Sequence, residues 1–312
     1  MKKICITDMT LRRAAENRLL GFKERVELAK LLDKLNISAL ELPMLSGSKA
    51  DSIFVKTLCS VITNTTLAQP AGLTAEEADA AWKALEKARR PRLVIDAPIS
   101  SVQMEYIARK KPPQMLAAIE AQVKHCTALC KDVEISFQDA TRAEPAFLTA
   151  ILTAAVEAGA TAVTVCDSTG EKMPDEFASF VKGVMDTVTV PVGVSCDDKN
   201  AMAAAAAILA VRSGADTVKT AVEGACVSLE DFCGIIRNCG NHYGFTAGLQ
   251  LTECHRILRQ ISRMVAGKGI DRGASLNVTS SADSGFTLDA QDDKNAVAAA
   301  VAKLGYDLSE ED

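Results

Sequence analysis

Two hydrophobic periods alternate along this chain. Short extended apolar runs fall at Ile4–Thr7, Ala39–Leu42, Thr66–Gln69, Arg92–Ala97, Asp132–Phe137, Ala162–Cys166, Val192–Val194 and Thr217–Thr220. Their length and flanking turn residues predict buried strands. Stretches with helical spacing lie between them: Lys23–Lys34, Asp51–Val61, Ala75–Ala88, Gln114–Cys130, Ala146–Ala158, Glu176–Val184, Ala201–Arg212 and Leu229–Asn238. Pro191 to Gly224 shows the unit most clearly. A strand is followed by an alanine-rich helix, Gly214 stands where a helix needs a left-handed residue to stop, and a strand resumes. Asn36 takes the corresponding place after the first long helix.

Strands joined by single helices run parallel. Eight strands, each followed by a helix, by Asn238 predict a closed (β/α)8 barrel over residues 1–240. An open doubly wound sheet is the alternative, but no glycine-rich dinucleotide fingerprint follows the first strand. Past residue 240 the pattern changes. A turn-rich linker at 238–244, a helix at Leu251–Val265, an irregular stretch at Gly267–Gly285, a helix at Asp293–Leu304 and an acidic tail predict a helical extension over 241–312. Such an extension covers the barrel mouth or mediates dimerisation. In a barrel, ligands bind beyond the carboxyl ends of the strands. That directs attention to Asp8–Arg13, read as a loop, and to Glu41, Gln138–Arg142, Asp167–Gly170 and Ser195–Asp198.

Composition narrows the choice. A net charge of −5 disfavours nucleic acid, and no apolar run reaches membrane-spanning length. The amino terminus MKKICITD does not read as a signal peptide. Ten scattered cysteines without a CxxC pair suit free thiols in a reducing cytoplasm, and three histidines offer few metal ligands.

Several segments resemble the 2-isopropylmalate synthase and homocitrate synthase family, and they occur in its order. They are ITDMTLRR, LAKLLDKLNISALELP, AGLTAEEADAAWKAL, SSVQMEYIARKK, DVEISFQDATRAE and AGATAVTVCDSTGEKMPDEF, with the tail DKNAVAAAVAKLGYDLSEED. The resemblance implies the same barrel and a Claisen-type condensation. In that reaction a divalent metal and an arginine hold a 2-oxo acid while acetyl-CoA supplies the attacking carbon. It also implies a homodimer. The expectation from chain length is that the family's separate regulatory domain has no counterpart in these residues.

The departures bear on the chemistry. The family's Leu-Arg-Asp becomes Leu11-Arg12-Arg13, its His-x-His is compared with Val194-Ser195-Cys196, and its strand-five glutamate becomes Gln138. The loop after strand eight is shortened at Gly224–Val227, and a histidine-bearing segment becomes Ala282–Thr287 without histidines. An arginine at a ligand position repels a cation. The expectation is therefore no metal and no bound cofactor, with acetyl-CoA as a candidate co-substrate. Cys196, Cys226, Asp197 and Asp198 are the alternative, a softer rebuilt site.

The candidate catalytic residues are Arg12, Arg13 and Gln138. Arg12 and Arg13 form a clamp for a carboxylate, or one of them only pairs with Asp8 or Glu41. The candidate substrate-binding residues are Asp8, Glu41, Asp139, Asp167, Thr169 and Cys196. Asp139 with Arg142 also reads as a structural bridge, and Asp167–Gly170 as a capped turn. Arg109-Lys110-Lys111 is either a phosphate-binding cluster or a solvated loop. Three functions stay open: a metal-free enzyme on a 2-oxo acid or acyl-CoA, a lyase or aldolase-type enzyme on another small carboxylate, and a non-catalytic relative that binds a metabolite or pairs with an active paralogue.

Overall fold

A computed structural model describes residues 1–16, 20–222 and 224–266. The stretch at 267–285, the helix at 293–304, the segment compared with the histidine motif and the acidic tail lie outside the described residues.

The strands are β1 (Lys2–Asp8), β2 (Ala39–Glu41), β3 (Thr66–Pro70), β4 (Pro91–Pro98), β5 (Val133–Gln138), β6 (Ala162–Asp167), β7 (Val192–Cys196) and β8 (Thr217–Thr220). Each pairs in parallel with the next, and β1 pairs with both β8 and β2, which closes the sheet. The helices between them are α1 (Thr10–Glu16), α2 (Phe22–Lys34), α3 (Lys49–Val61), α4 (Ala75–Leu85), α5 (Ser101–Gln103), α6 (Pro112–Leu129), α7 (Pro145–Glu157), α8 (Pro174–Thr187), α9 (Ala203–Ser213) and α10 (Leu229–Tyr243). This is the (β/α)8 barrel that the alternation predicts.

The local chemistry explains several boundaries. Thr74 and Glu77 form a reciprocal cap on α4, and the side chains of Glu144 and Ser228 accept backbone N–H groups at the starts of α7 and α10. Asn36 and Gly214 both take positive φ, 61° and 126°, where α2 and α9 give way to strands.

Three expectations change. The stretch after β1 is a helix from Thr10, because the Asp8 carboxylate accepts the Thr10 N–H at 2.9 Å and turns the chain at once. The linker at 238–244 is instead the last turn of α10, so a boundary at 240 falls inside a helix. A ninth strand, β9 (Phe245–Ala247), then pairs with Lys2–Ile4 of β1. The helix that follows, α11 (Leu251–Ala266), buries Ile257, Leu258 and Ile261 against α10 and α2.

Alternation along the strands sorts the side chains. Ile4 and Ile6, Leu93 and Ile95, Val133 and Phe137, Val163 and Val165, and Val192 and Val194 are fully or almost fully buried in the layer shared with the helices. The intervening positions point into the barrel. In many barrels that interior is filled by branched apolar residues. Here it carries Lys219, Glu41, Glu134, Ser136, Thr164 and Cys166, all buried.

Candidate functional site

The interior polar residues form one continuous chain of ion pairs. Glu134 lies 3.0 Å from Arg92 and 3.1 Å from Lys219. The Lys219 ammonium is 2.7 Å from Glu41, and Glu41 also pairs with Arg12. Arg12 reaches Asp96 at 3.0 Å, and Asp96 accepts the Gln138 amide N–H at 3.0 Å. Among the described residues the chain thus sets three cations, Arg92, Lys219 and Arg12, against three interior carboxyl groups, Glu134, Glu41 and Asp96, with Asp132 closing its outer end on Arg92 at 2.9 Å. It is close to self-neutral, which is how such groups persist away from water.

Burial by itself would neutralise each carboxyl, but the cations reverse this for the deepest two. Burial raises Glu134, yet Lys219 and Arg92 bring it down to about 2. Glu41 is likewise lowered by Lys219 and Arg12 against the pull of burial. Asp96 lies above its ordinary value because burial outweighs Arg12. Burial would favour a neutral amine at Lys219, but Glu134, Glu41 and Asp96 hold its proton more firmly than in water. Lys219 is therefore a fixed cation and not a resting nucleophile.

A cavity of about 250 Å³ opens above this chain at the carboxyl ends of the strands. Arg12, Arg13, Glu41, Gln138, Asp167 and Lys219 line it, together with Met9, Ser136, Cys166, Ser168, Ser195 and Asp197. Arg13 differs from the other two cations. Among the described residues it makes no ion pair. Its side chain passes over Gly224, where a Cβ would stand 3.2 Å from the Arg13 Cδ and Nη1 atoms. The absence of a side chain at Gly224 is what lets the guanidinium lie there.

The sequence candidates divide between the cavity and the helix-facing layer, and Asp167 reaches the cavity although it shares the outward parity of Val163 and Val165. Arg12, Arg13, Glu41, Gln138 and Asp167 meet at the cavity. Arg12, however, is committed to Glu41 and Asp96, as in the pairing alternative. Asp8 falls on the outward parity of β1 and is fully buried, while Met9 lines the cavity in its stead. Burial pushes its carboxyl up to about 7, with the Thr10 hydrogen bonds opposing and Glu41 adding to the rise. Asp139 also points outward, and Arg142 takes both its oxygens at 2.6–3.0 Å, so the bridge reading describes it. Thr169 donates to Asp167 Oδ1 at 3.3 Å and buttresses that carboxylate without lining the cavity. Cys196 packs in the helix-facing core, and burial drives its thiol well above the ordinary value.

The cavity-facing pair on β7 is therefore Ser195 and Asp197, one residue on from Val194 and Cys196. The comparison with His-x-His has to move by one position. Sequence reasoning missed Lys219, Glu134, Asp96, Ser136 and Cys166. Their signal was available: Glu134-x-Ser136-x-Gln138, Thr164-x-Cys166 and Thr217-x-Lys219 put polar groups at every second place of strands that are otherwise apolar.

The donor set can be tested against a divalent ion. Among the described residues, no group of three or more His, Cys, Asp or Glu side chains could hold one. Two guanidiniums and an ammonium line the same cavity. Fixed cations lining the same cavity as the Asp167 and Asp197 carboxylates disfavour a divalent ion there.

Fold and site together define a (β/α)8 barrel protein with a charged cavity at its mouth. Residues 3–261 match the HMGL-like family, and the chain belongs to that family. It is 32% identical over 229 residues to the 2-isopropylmalate synthase of Clostridium kluyveri, covering 72% of this chain and 45% of that protein. The 2-isopropylmalate synthase of Pyrococcus abyssi is 33% identical over 230 residues, with 72% and 47% covered. The chain thus spans about half the length of these curated relatives. Two solved structures share the fold. The HMG-CoA lyase of Bacillus subtilis superposes with a TM-score of 0.71 at 11% identity, covering 85% of this chain and 95% of that one. The Brucella melitensis HMG-CoA lyase gives 0.64 at 16% identity, covering 86% and 99%.

Proposed function

We propose that the barrel mouth binds a small carboxylate, a 2-oxo acid or a close analogue, and acts in carbon–carbon bond formation or cleavage without a metal. Arg13 carries the reading. It is a guanidinium on the mouth cavity with no ion-pair partner among the described residues, beside two cations that the protein itself neutralises. A fork of N–H donors matches a carboxylate in two-point contact.

The chemistry follows from what lies beneath. Lys219 and Arg12 are fixed positive groups lining the cavity, set in place before any ligand arrives. Such groups stabilise negative charge that develops on a substrate oxygen, in the manner of an oxyanion hole. The relatives named above act in the same class of reaction, and an acyl-CoA thioester is the co-substrate that the family resemblance implies.

A second reading rests on Gln138. Where the resemblance implies a glutamate, this chain has an amide, which donates to Asp96 and to Ser136 at 3.1 Å. An amide does not serve as a general acid or base near neutral pH, and this favours a non-catalytic metabolite-binding role.

Calorimetric titration with a panel of 2-oxo acids and dicarboxylates tests binding. Loss of thioester absorbance on adding acetyl-CoA with each acid tests turnover. An absorbance readout is preferable to a thiol reagent, because the protein has free cysteines of its own, including exposed Cys5. Binding without thioester loss selects the second reading, and no binding by any acid rejects both.

A further inference from the structure

Among the described residues, three charged side chains on the cavity remain once the ion-pair chain is closed: Arg13, Asp167 and Asp197. The two carboxylates leave adjoining strand ends, where the Asp197 N–H donates to the Asp167 carbonyl at 2.9 Å. Asp167 is 4% exposed. Its Oδ1 accepts from Thr141, Thr169 and the Gly170 N–H at 3.1–3.3 Å, and its Oδ2 accepts from none of the described residues. Asp197 accepts the Lys199 N–H at 3.1 Å. Neither carboxylate pairs with a lysine or arginine among the described residues.

This count constrains the ligand. A simple carboxylate would satisfy Arg13 but bring a third negative group in front of Asp167 and Asp197. A molecule that carries an ammonium as well as a carboxylate satisfies both signs. The cavity, about 250 Å³, is below the range of about 300–1,000 Å³ typical of drug-sized ligands, so the molecule is small.

We propose that the mouth cavity takes a small zwitterion, an α-amino acid or related amino-carboxylate, with its carboxylate on Arg13 and its ammonium between Asp167 and Asp197. This rests on the cavity being a carboxylate site and narrows the class of ligand for it.

The test is calorimetric titration of the full chain with matched pairs that differ only at C2: valine against 2-oxoisovalerate, and alanine against pyruvate, with both enantiomers of each amino acid. The expected result is that at least one amino acid binds about 10–100-fold more tightly than its oxo acid, the range expected for one charge-assisted contact. Asp197→Asn should remove that preference by lowering amino-acid affinity about 10–100-fold. Asp197 suits the substitution because its side chain is half-exposed and accepts only one backbone bond.

An oxo acid that binds as well as its amino acid overturns the zwitterion while leaving the carboxylate reading intact. So does an amino-acid affinity that Asp197→Asn does not change. Oxo-acid affinity that rises on adding manganese also overturns it, because the two carboxylates would then serve a cation. If no acid of either kind binds, both readings fail.

Discussion

Lys219→Met should be among the most damaging single substitutions in this protein. The ammonium is 2% exposed and lies between two carboxylates that are 0% and 2% exposed, Glu41 and Glu134. Methionine matches its length but leaves both carboxylates in the barrel interior with one cation fewer. Breaking a buried pair in this way costs about 3–5 kcal/mol. Glu41 keeps Arg12 and Glu134 keeps Arg92, so the cost stays near that of one broken pair and does not double. Urea unfolding followed by circular dichroism reads this as a lower midpoint at unchanged slope. The pH dependence supplies a second check. Glu134 has its folded pKa lowered from 4.5 to about 2, so its pairing stabilises the fold above about pH 4.5 and loses that contribution as pH falls toward 2. The gap between wild type and variant should be widest above pH 5 and narrow on acidification. A loss below about 1 kcal/mol, or a gap that does not change with pH, would refute the view that Lys219 holds these carboxylates charged.

Other expectations follow from the same geometry. Arg12→Ala should destabilise the fold by about 2–5 kcal/mol because it takes the cation from Asp96 and leaves Glu41 with Lys219 alone, whereas Arg13→Ala should leave the urea midpoint within about 0.5 kcal/mol of wild type; the reverse order would show that the two arginines are misassigned. Asp8→Asn should flatten the stability profile between about pH 4 and 7. The raised Asp8 pKa, about 7 folded against 3.8 unfolded, means that ionisation opposes folding as pH rises through that window, by up to about 4 kcal/mol; a variant with the wild-type slope would contradict this. Gly224→Ala, at φ 117°, should cost about 1–3 kcal/mol and weaken anion binding by displacing Arg13; calorimetry showing full affinity would count against the path assigned to that side chain. Cys196 and Cys226, buried and with thiols pushed above their ordinary range, should react with a thiol reagent only on unfolding, while Cys5 reacts in the native state; mass spectrometry of the labelled sites decides.

Most of the barrel could be read from residue order alone, because buried parallel strands and amphipathic helices leave different periods. The strand Thr217–Thr220 is observed with those bounds, and Asn36 and Gly214 terminate their helices as their chemistry requires. Less legible was where secondary structure continued through residues that resemble a turn. Thr10–Glu16 is helical because a buried aspartate caps it, and Cys239–His242 are helical because α10 runs on to a left-handed Gly244. The site was half legible. Proximity to a strand end picked out Arg13, Glu41, Gln138 and Asp167, but it could not distinguish inward from outward positions, so Asp8, Asp139 and Cys196 were included. Parity applied to each strand would have excluded these three and introduced Lys219, but it would also have excluded Asp167, which lines the cavity from the outward parity of β6. The pairing of Arg12 with Asp96 joins α1 to β4 across the barrel, and no local pattern reports it.

The central claim is that Arg13 anchors a ligand carboxylate in the mouth cavity. A crystal structure of the protein soaked with a 2-oxo acid and with its amino-acid counterpart tests it most directly. The account predicts a carboxylate in two-point contact with the Arg13 guanidinium, above Lys219 and between the ends of β1 and β6. A ligand carboxylate held instead by Arg109, Lys110 and Lys111 at a site where Arg13 takes no part would contradict it.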